Sequence, residues 1–304
     1  MTTKSDGDVA AKARLAQEGE RKGDQFGDRM KVYENAECSR RFLPLLPICV
    51  RLDGRSFSAF THGMERPYDT RLFSCFDYVT KRLVEETGAL VGYTQSDEIS
   101  LILYSDKHDS QVFFDGKVFK ITSVLASMAT CLFVDIARHH WPDRIHDRLV
   151  SFDCRAFQVP NQTEAANVIL WREMDATKNA ASMAARHYFS HKALHQQGQA
   201  DMQEMLFQHH GVNFNDYPAR FKRGQFFLRR TAFKELEPEI LAKIPEDKMP
   251  PGPIERQIVA AVDMPKFRTV TNREAVIFAN ALPSSEQGEE RGTRQTPSFE
   301  EPKS

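Results

Sequence analysis

Cysteine is scarce in this chain and offers no pairing pattern: the five residues, Cys38, Cys49, Cys75, Cys131 and Cys154, are odd in number, scattered, and never form a Cys-x-x-Cys pair. That argues against a disulfide framework and against a cysteine zinc site, and points to a reducing compartment. An excess of one charge is missing as well, since 41 Lys and Arg stand against 42 Asp and Glu. The global charge therefore announces no polyanionic partner, and any nucleic-acid surface must be a local patch. No stretch of about eighteen apolar residues is evident, and the first thirty residues lack the apolar run of a signal peptide. The expectation is a soluble, cytoplasmic protein. No internal repeat of useful period is visible.

What is present is enough for a proper core: 304 residues, 41% of them hydrophobic, suit one large domain or two small ones. Residues 1–23 are polar and charged and read as a flexible segment, and 283–304, rich in Ser, Glu, Gly, Pro and Thr, as a disordered tail. Between them, Phe26, Met30 and Tyr33 recur at helical spacing before Pro44 and Pro47. A strand then runs from Ile48 to Asp53, and a helix from Asp69 to Glu86 that Gly88 ends. Next come a hairpin around Ser96-Asp97-Glu98, an apolar helix over 120–138 rich in small residues, and a strand over 151–159. This order, βαββαβ, is that of an α+β, ferredoxin-like domain with the layout of a polymerase palm. The reading is a palm-like core over 24–160, with a helical and basic region over 161–282 packed on it.

Two apolar strands each carry a carboxylate at or near an end, Asp53 in Arg51-Leu52-Asp53-Gly54-Arg55-Ser56-Phe57 and Asp97 in Gln95-Ser96-Asp97-Glu98. Magnesium takes oxygen ligands, usually one or two carboxylates with substrate phosphates, so an Asp from each of two neighbouring strands can supply the protein's share. Strand-end aspartates are also common simply as solvated groups. Glu98 is harder to place, because adjacent side chains on a regular strand point to opposite faces; it and Asp97 can share a site only across a turn or bulge. Arg55, Arg66 and Lys120 are candidate partners for a triphosphate. His187, His191 and His195 fall at i, i+4 and i+8, one helix face, without the Glu of a His-Glu-x-x-His zinc site. Residues 217–230 combine five basic groups with four aromatics and no acid, a composition suited to phosphates and stacked bases, or to a strand pair with a basic side in water.

Five ordered motifs carry a resemblance. They are the Asp53 and Asp97 segments, Ser151-Phe152-Asp153-Cys154-Arg155, Trp171-Arg172-Glu173-Met174-Asp175-Ala176-Thr177-Lys178-Asn179, and Phe221-Lys222-Arg223-Gly224. Together they resemble the tRNA-His guanylyltransferase superfamily, specifically its guanylyltransferase-like branch of 3′-to-5′ polymerases, from about Phe26 to about Arg230. The resemblance implies an enzyme that adds nucleotides to the 5′ end of tRNA, using ATP to activate the end and GTP or another nucleoside triphosphate to extend it. It implies that Asp53, the Gly54 carbonyl and Asp97 hold two Mg2+ ions, and that Asp53, Asp97 and Glu98 form a catalytic trio. The nucleotide is expected against Asp53, Gly54, Arg55, Ser56, Phe57 and Ser58, against Ser96 and Asp97, and against Lys120, which aligns with a family lysine. The RNA is expected against Arg220, Lys222, Arg223 and Arg229, and a homotetramer is implied. Eukaryotic members carry His-Ile-Asn-Asn after the Trp-Arg pair where this chain has Asp175-Ala176-Thr177-Lys178-Asn179, a departure that favours templated repair of 5′-truncated tRNA over addition of a single G. A palm-type nucleotide cyclase and a non-catalytic tRNA-binding protein are the other readings. The cyclase explains neither the Trp171 motif nor the basic segment.

Overall fold

The strands alternate in the direction their side chains face, and both faces are buried, so the central sheet is covered on both sides. In a computed structural model, which describes residues 25–108, 111–237 and 252–285 with a few more between 240 and 250, helix α1 (Gln25–Cys38) precedes strand β1 (Ile48–Gly54). Helix α2 (Thr70–Thr87), β2 (Val91–Gln95), β3 (Glu98–Leu103), helix α3 (Val118–His140) and β4 (Phe152–Gln158) complete the βαββαβ order. Helices α4 (Gln162–Tyr188) and α5 (Gln199–His210) follow, then β5 (Gln225–Lys234) and β6 (Ile254–Val262). The antiparallel sheet runs β4-β1-β3-β2-β5-β6.

On one face Ile48, Val50 and Leu52 of β1 and Ile99, Leu101 and Leu103 of β3 pack against α2 and α3; on the other, Cys49 and Ile102 meet α4 and the segment from Met264 to Ile277. Helix α2 forms because Phe76, Val79, Leu83 and Val84 make one buried stripe. The Asp69 carboxylate caps it by accepting from the Arg71 N–H at 3.0 Å, and Gly88 ends it at φ 71°.

Several expectations need correction. Strands β5 and β6 join the palm sheet through β2, so the boundary at 160 falls inside one hydrogen-bonded sheet. Helix α3 contains an eighteen-residue window of mean hydropathy 1.6, apolar and long enough by composition to cross a membrane, contrary to the absence of such a run inferred above. Here its stripe of Ile121, Leu125, Ala129, Phe133 and Ala137 is fully buried within the core shared with the sheet. The start of the supposed tail is pinned, with Ser285 bridging to Val270 and the Ser284 N–H donating to Asn272 Oδ1 at 2.8 Å. Residues 1–24 and 286–304 lie outside the described residues. The three histidines share no helix face: His187 lies in the last turn of α4, Ser190 caps the start of a separate short helix, and His195 closes it.

Candidate active site

Strand β1 ends at Gly54 because the next residues must turn to bury Phe57. A Cβ on Gly54 would sit 2.3 Å from the Phe57 ring, which fills a pocket among Phe60, Phe76, Phe133 and Phe152. The Gly54 N–H donates to the Asp97 carbonyl at 3.0 Å, stitching the end of β1 to the β2–β3 turn. Asp53 lies opposite Glu98 of β3 in the register. The turn is Ser96-Asp97, with Ser96 in the left-handed region at φ 53°. That turn lifts the alternation rule, so Asp97 and its neighbour Glu98 line the same cleft as Asp53.

The cleft measures about 300 Å³, and its opposite wall is α4, which contributes Arg172, Asn179 and Arg186. These fall seven residues apart and so share a helix face. Arg172 grips Glu98 with both arms, Nε to Oε1 at 2.5 Å and Nη2 to Oε2 at 2.7 Å, while Nη1 donates to Asp175 Oδ2 at 2.8 Å. Trp171 lies against the Arg172 guanidinium at 4.5 Å. The planar fork fits a carboxylate in this bidentate way as lysine cannot. Glu98 is therefore tethered across the cleft, and its carboxyl is raised by burial against the opposing pull of Arg172. Burial also raises the Asp97 carboxyl, the Ser96 hydroxyl opposes it by donating at 2.9 Å, and the charge of Asp53 pushes further upward. Asp53 and Asp97, neighbouring carboxylates that make no ion pair within 4.0 Å among the described residues, are the kind of donor set a hard divalent ion fits. Among the described residues no group of three His, Cys, Asp or Glu is placed to hold a metal ion by itself.

The other expected nucleotide contacts divide. Arg55, Ser56 and Ser58 are exposed on the turn and short helix (Phe57–Phe60) beside Asp53, whereas the Phe57 side chain is core and offers a nucleotide only its backbone. Arg66 is exposed and does not line the cleft. Lys120 is set apart from it. Helix α3 starts beside the Ile48 end of β1, where Val118 donates to Arg40, and ends where Trp141 packs on Phe60, near the Asp53 end. Lys120, in the first turn, stands ~15 Å along the helix from Thr130, whose hydroxyl accepts from the Phe152 N–H opposite Gly54, and its ammonium lies over the Phe114 ring.

The basic segment is corrected more strongly. Arg220 is buried against Asp77 at 2.9 Å and the Phe73 ring at 4.7 Å, and Arg229 caps the end of α2, donating to the Val84 carbonyl at 2.6 Å. Both guanidiniums are thus engaged within the fold. Phe221, Phe226 and Phe227 are core residues rather than stacking platforms. Lys222 and Arg223 remain at a surface cavity. The lining residues not assigned to the site beforehand are Gln95 and, from α4, Arg172, Asn179, Ser182, Met183 and Arg186. The seven-residue spacing of Arg172, Asn179 and Arg186, starting at the Trp-Arg pair, was the available signal.

With that geometry in hand, comparison with known proteins is direct. Residues 27–160 match the family model described as tRNAHis guanylyltransferase. The chain is similar to a solved bacterial tRNA(His) guanylyltransferase-like protein in complex with ATP, at 40% identity and TM-score 0.64 over 68% of this chain and 87% of that one. The chain belongs to the tRNA-His guanylyltransferase superfamily. Another solved bacterial guanylyltransferase-like protein of the superfamily, in complex with GTP, is 33% identical with TM-score 0.63 over 81% of this chain and 94% of that one. The tRNA(His) guanylyltransferase of Neurospora crassa is 28% identical over 215 residues, 62% of this chain and 68% of the relative. The superfamily match covers β1 to β4, the part of the chain that supplies Asp53, Asp97 and Glu98.

Proposed function

We propose that this chain is a tRNA nucleotidyltransferase that extends 5′-truncated tRNA in the 3′-to-5′ direction, choosing each nucleotide by pairing with the opposite strand. The observation that carries it is the convergence of Asp53 and Asp97 in one open cleft, stitched by the Gly54–Asp97 hydrogen bond, in a chain of this superfamily. Asp53, Asp97 and the Gly54 carbonyl are the residues that would hold Mg2+. When bound, magnesium would supply a more acidic 3′-hydroxyl and a counter-charge for the departing pyrophosphate.

The protein's own groups do the positioning. Ser96 holds the Asp97 carboxylate in one orientation, and Arg172 holds the Glu98 carboxylate by two bonds on the α4 side of the cleft. Arg186 and Asn179 face the same space from α4, where a guanidinium and an amide can meet phosphate oxygens. ATP and GTP are the expected substrates by analogy with the ligands named for the bacterial structures. The Asp175-Ala176-Thr177-Lys178-Asn179 stretch, in place of His-Ile-Asn-Asn after the Trp-Arg pair, is what favours templated repair over single-G addition.

The test is extension of a labelled tRNA lacking its first nucleotide, with magnesium and each nucleoside triphosphate in turn, on tRNA-His and an unrelated tRNA. Addition of only the pairing nucleotide on either tRNA is the expected result. G added to tRNA-His alone would replace the proposal with the specialised guanylyltransferase role, and no addition anywhere would overturn both.

A further inference from the structure

The other flank of α4 borders a second cavity, of about 290 Å³, with the opposite electrostatic character. Lys178 of α4, Lys222 and Arg223 of the short helix (Ala219–Arg223), and Lys266 and Arg268 of the loop after Met264 line it together with one carboxylate, Glu173. That carboxylate is already used. It is buried and accepts from the Phe267 N–H at 2.9 and 3.1 Å, which sets the loop carrying Lys266 and Arg268 at the cavity rim. Among the described residues, Lys222, Lys266 and Arg268 make no ion pair within 4.0 Å, while Arg223 approaches Glu173 at 3.9 Å and Lys178 approaches Asp175 at 3.9 Å.

Five cations from three separate elements converge on a space holding one committed anion. Burial, and next the charges of Arg223 and Lys266, push the Lys222 ammonium below its ordinary value, so the cations repel one another in the free protein. An anion entering the cavity would relieve that repulsion. The lining presents no exposed ring for a base, since Phe214 is buried, and its remaining side chains are mostly amide and hydroxyl donors. Such a site reads phosphates rather than bases.

Its position says which phosphates. Asp175 pairs with Arg172 on the cleft side and approaches Lys178 on the cavity side, so the two sites share one ridge of α4. A helix is about 10 Å across, a distance an RNA strand crosses within a few nucleotides. We infer that the cavity between α4, the Ala219–Arg223 helix and the Lys266–Arg268 loop binds backbone phosphates of the tRNA strand whose end occupies the cleft. This rests on the tRNA reading above, and it assigns Lys178, Lys266 and Arg268 a role while removing Arg220 and Arg229 from the RNA surface.

The experiment is tRNA binding by the full chain and by a Lys178→Ala/Lys266→Ala/Arg268→Ala variant, titrated across a range of salt concentrations, with ATP binding measured in parallel. Losing up to three phosphate contacts should weaken tRNA binding at least ~10-fold at low salt and reduce the slope of log affinity against log salt by about 2–3, with ATP affinity unchanged. A Lys266→Gln/Arg268→Gln variant, which retains both side-chain stems and Lys178, should show a smaller loss in the same direction, and serves if the triple variant fails to fold. Unchanged tRNA affinity and slope, in a protein whose wild type binds tRNA, would sink the inference alone. So would a loss of ATP or pyrophosphate binding with tRNA unaffected, because the cavity would then hold a nucleotide's phosphates. Wild-type protein that binds no tRNA would overturn the function proposed above, and this inference with it.

Discussion

Two stretches of this chain are equally rich in charge, the strand ends around Asp53 and Asp97 and the segment from Tyr217 to Arg230, yet the fold uses them in opposite ways. At the strand ends the charges stay open to a cleft, because a two-residue turn with Ser96 at positive φ leaves carboxylates with few internal donors. In the basic segment the fold takes Arg220 and Arg229 for itself, one neutralising Asp77 and one capping α2. Long guanidinium side chains carry five donors and reach carbonyls that a folding chain must satisfy. A cluster of arginines in a sequence therefore says less about a ligand than a pair of strand-end aspartates does.

The hardest test of the open side is Asp53→Ala or Asp97→Ala. Either should lower nucleotide addition by about 10³-fold or more while leaving tRNA affinity nearly intact, as read by single-turnover extension beside a binding titration. An active double mutant would end the metal-site assignment. On the consumed side, Arg220→Ala leaves Asp77 without its partner. It should cost about 3 kcal/mol of stability in urea denaturation, with tRNA affinity of the folded fraction unchanged; a selective loss of RNA binding at full stability would return Arg220 to the RNA surface.

Arg172 lies between these extremes, since it is tied to a carboxylate and yet faces the cleft. Arg172→Ala should reduce turnover about 10–100-fold with little change in KM for the nucleotide, and Arg172→Lys should recover little of it because an ammonium cannot hold Glu98 by two bonds. Recovery by lysine would show that charge alone matters there.

The smallest expected effect concerns Glu173. Burial places its carboxyl above the ordinary 4.5, against the Phe267 N–H and Arg223. The folded chain then holds that proton more tightly than the unfolded one, so the group's contribution to stability is present below about 4.5 and is lost as pH rises through the raised folded value. Glu173→Gln should flatten that part of the Tm-against-pH curve. An unchanged slope would mean that the carboxyl titrates as an exposed group.

Much of the fold was legible from local pattern. The alternation in Ile48–Leu52, the stripe in α2 and the small residues of α3 specify strand and helices directly, because burial of one periodic face is the main term deciding each element. Strands β5 and β6 were less legible, since Gln225–Lys234 mixes aromatics with cations and reads equally as an RNA-facing surface. The place of Lys120 was less legible for a related reason: the sequence says that it opens a helix but not which end of the sheet that helix starts from, and the structure leaves it outside the cleft lining.

The sequence by itself determined the βαββαβ order of the core, the superfamily and the two aspartates at its strand ends, all of which rest on short-range spacing that survives without neighbours. Tertiary structure alone decided which charges remain for a substrate. It closed Arg172 onto Glu98 across 74 residues, sent Arg220 143 residues back to Asp77, and brought Lys178, Lys222 and Lys266 to one cavity. Electrostatic partners are chosen by distance in space, which spacing along a chain does not encode.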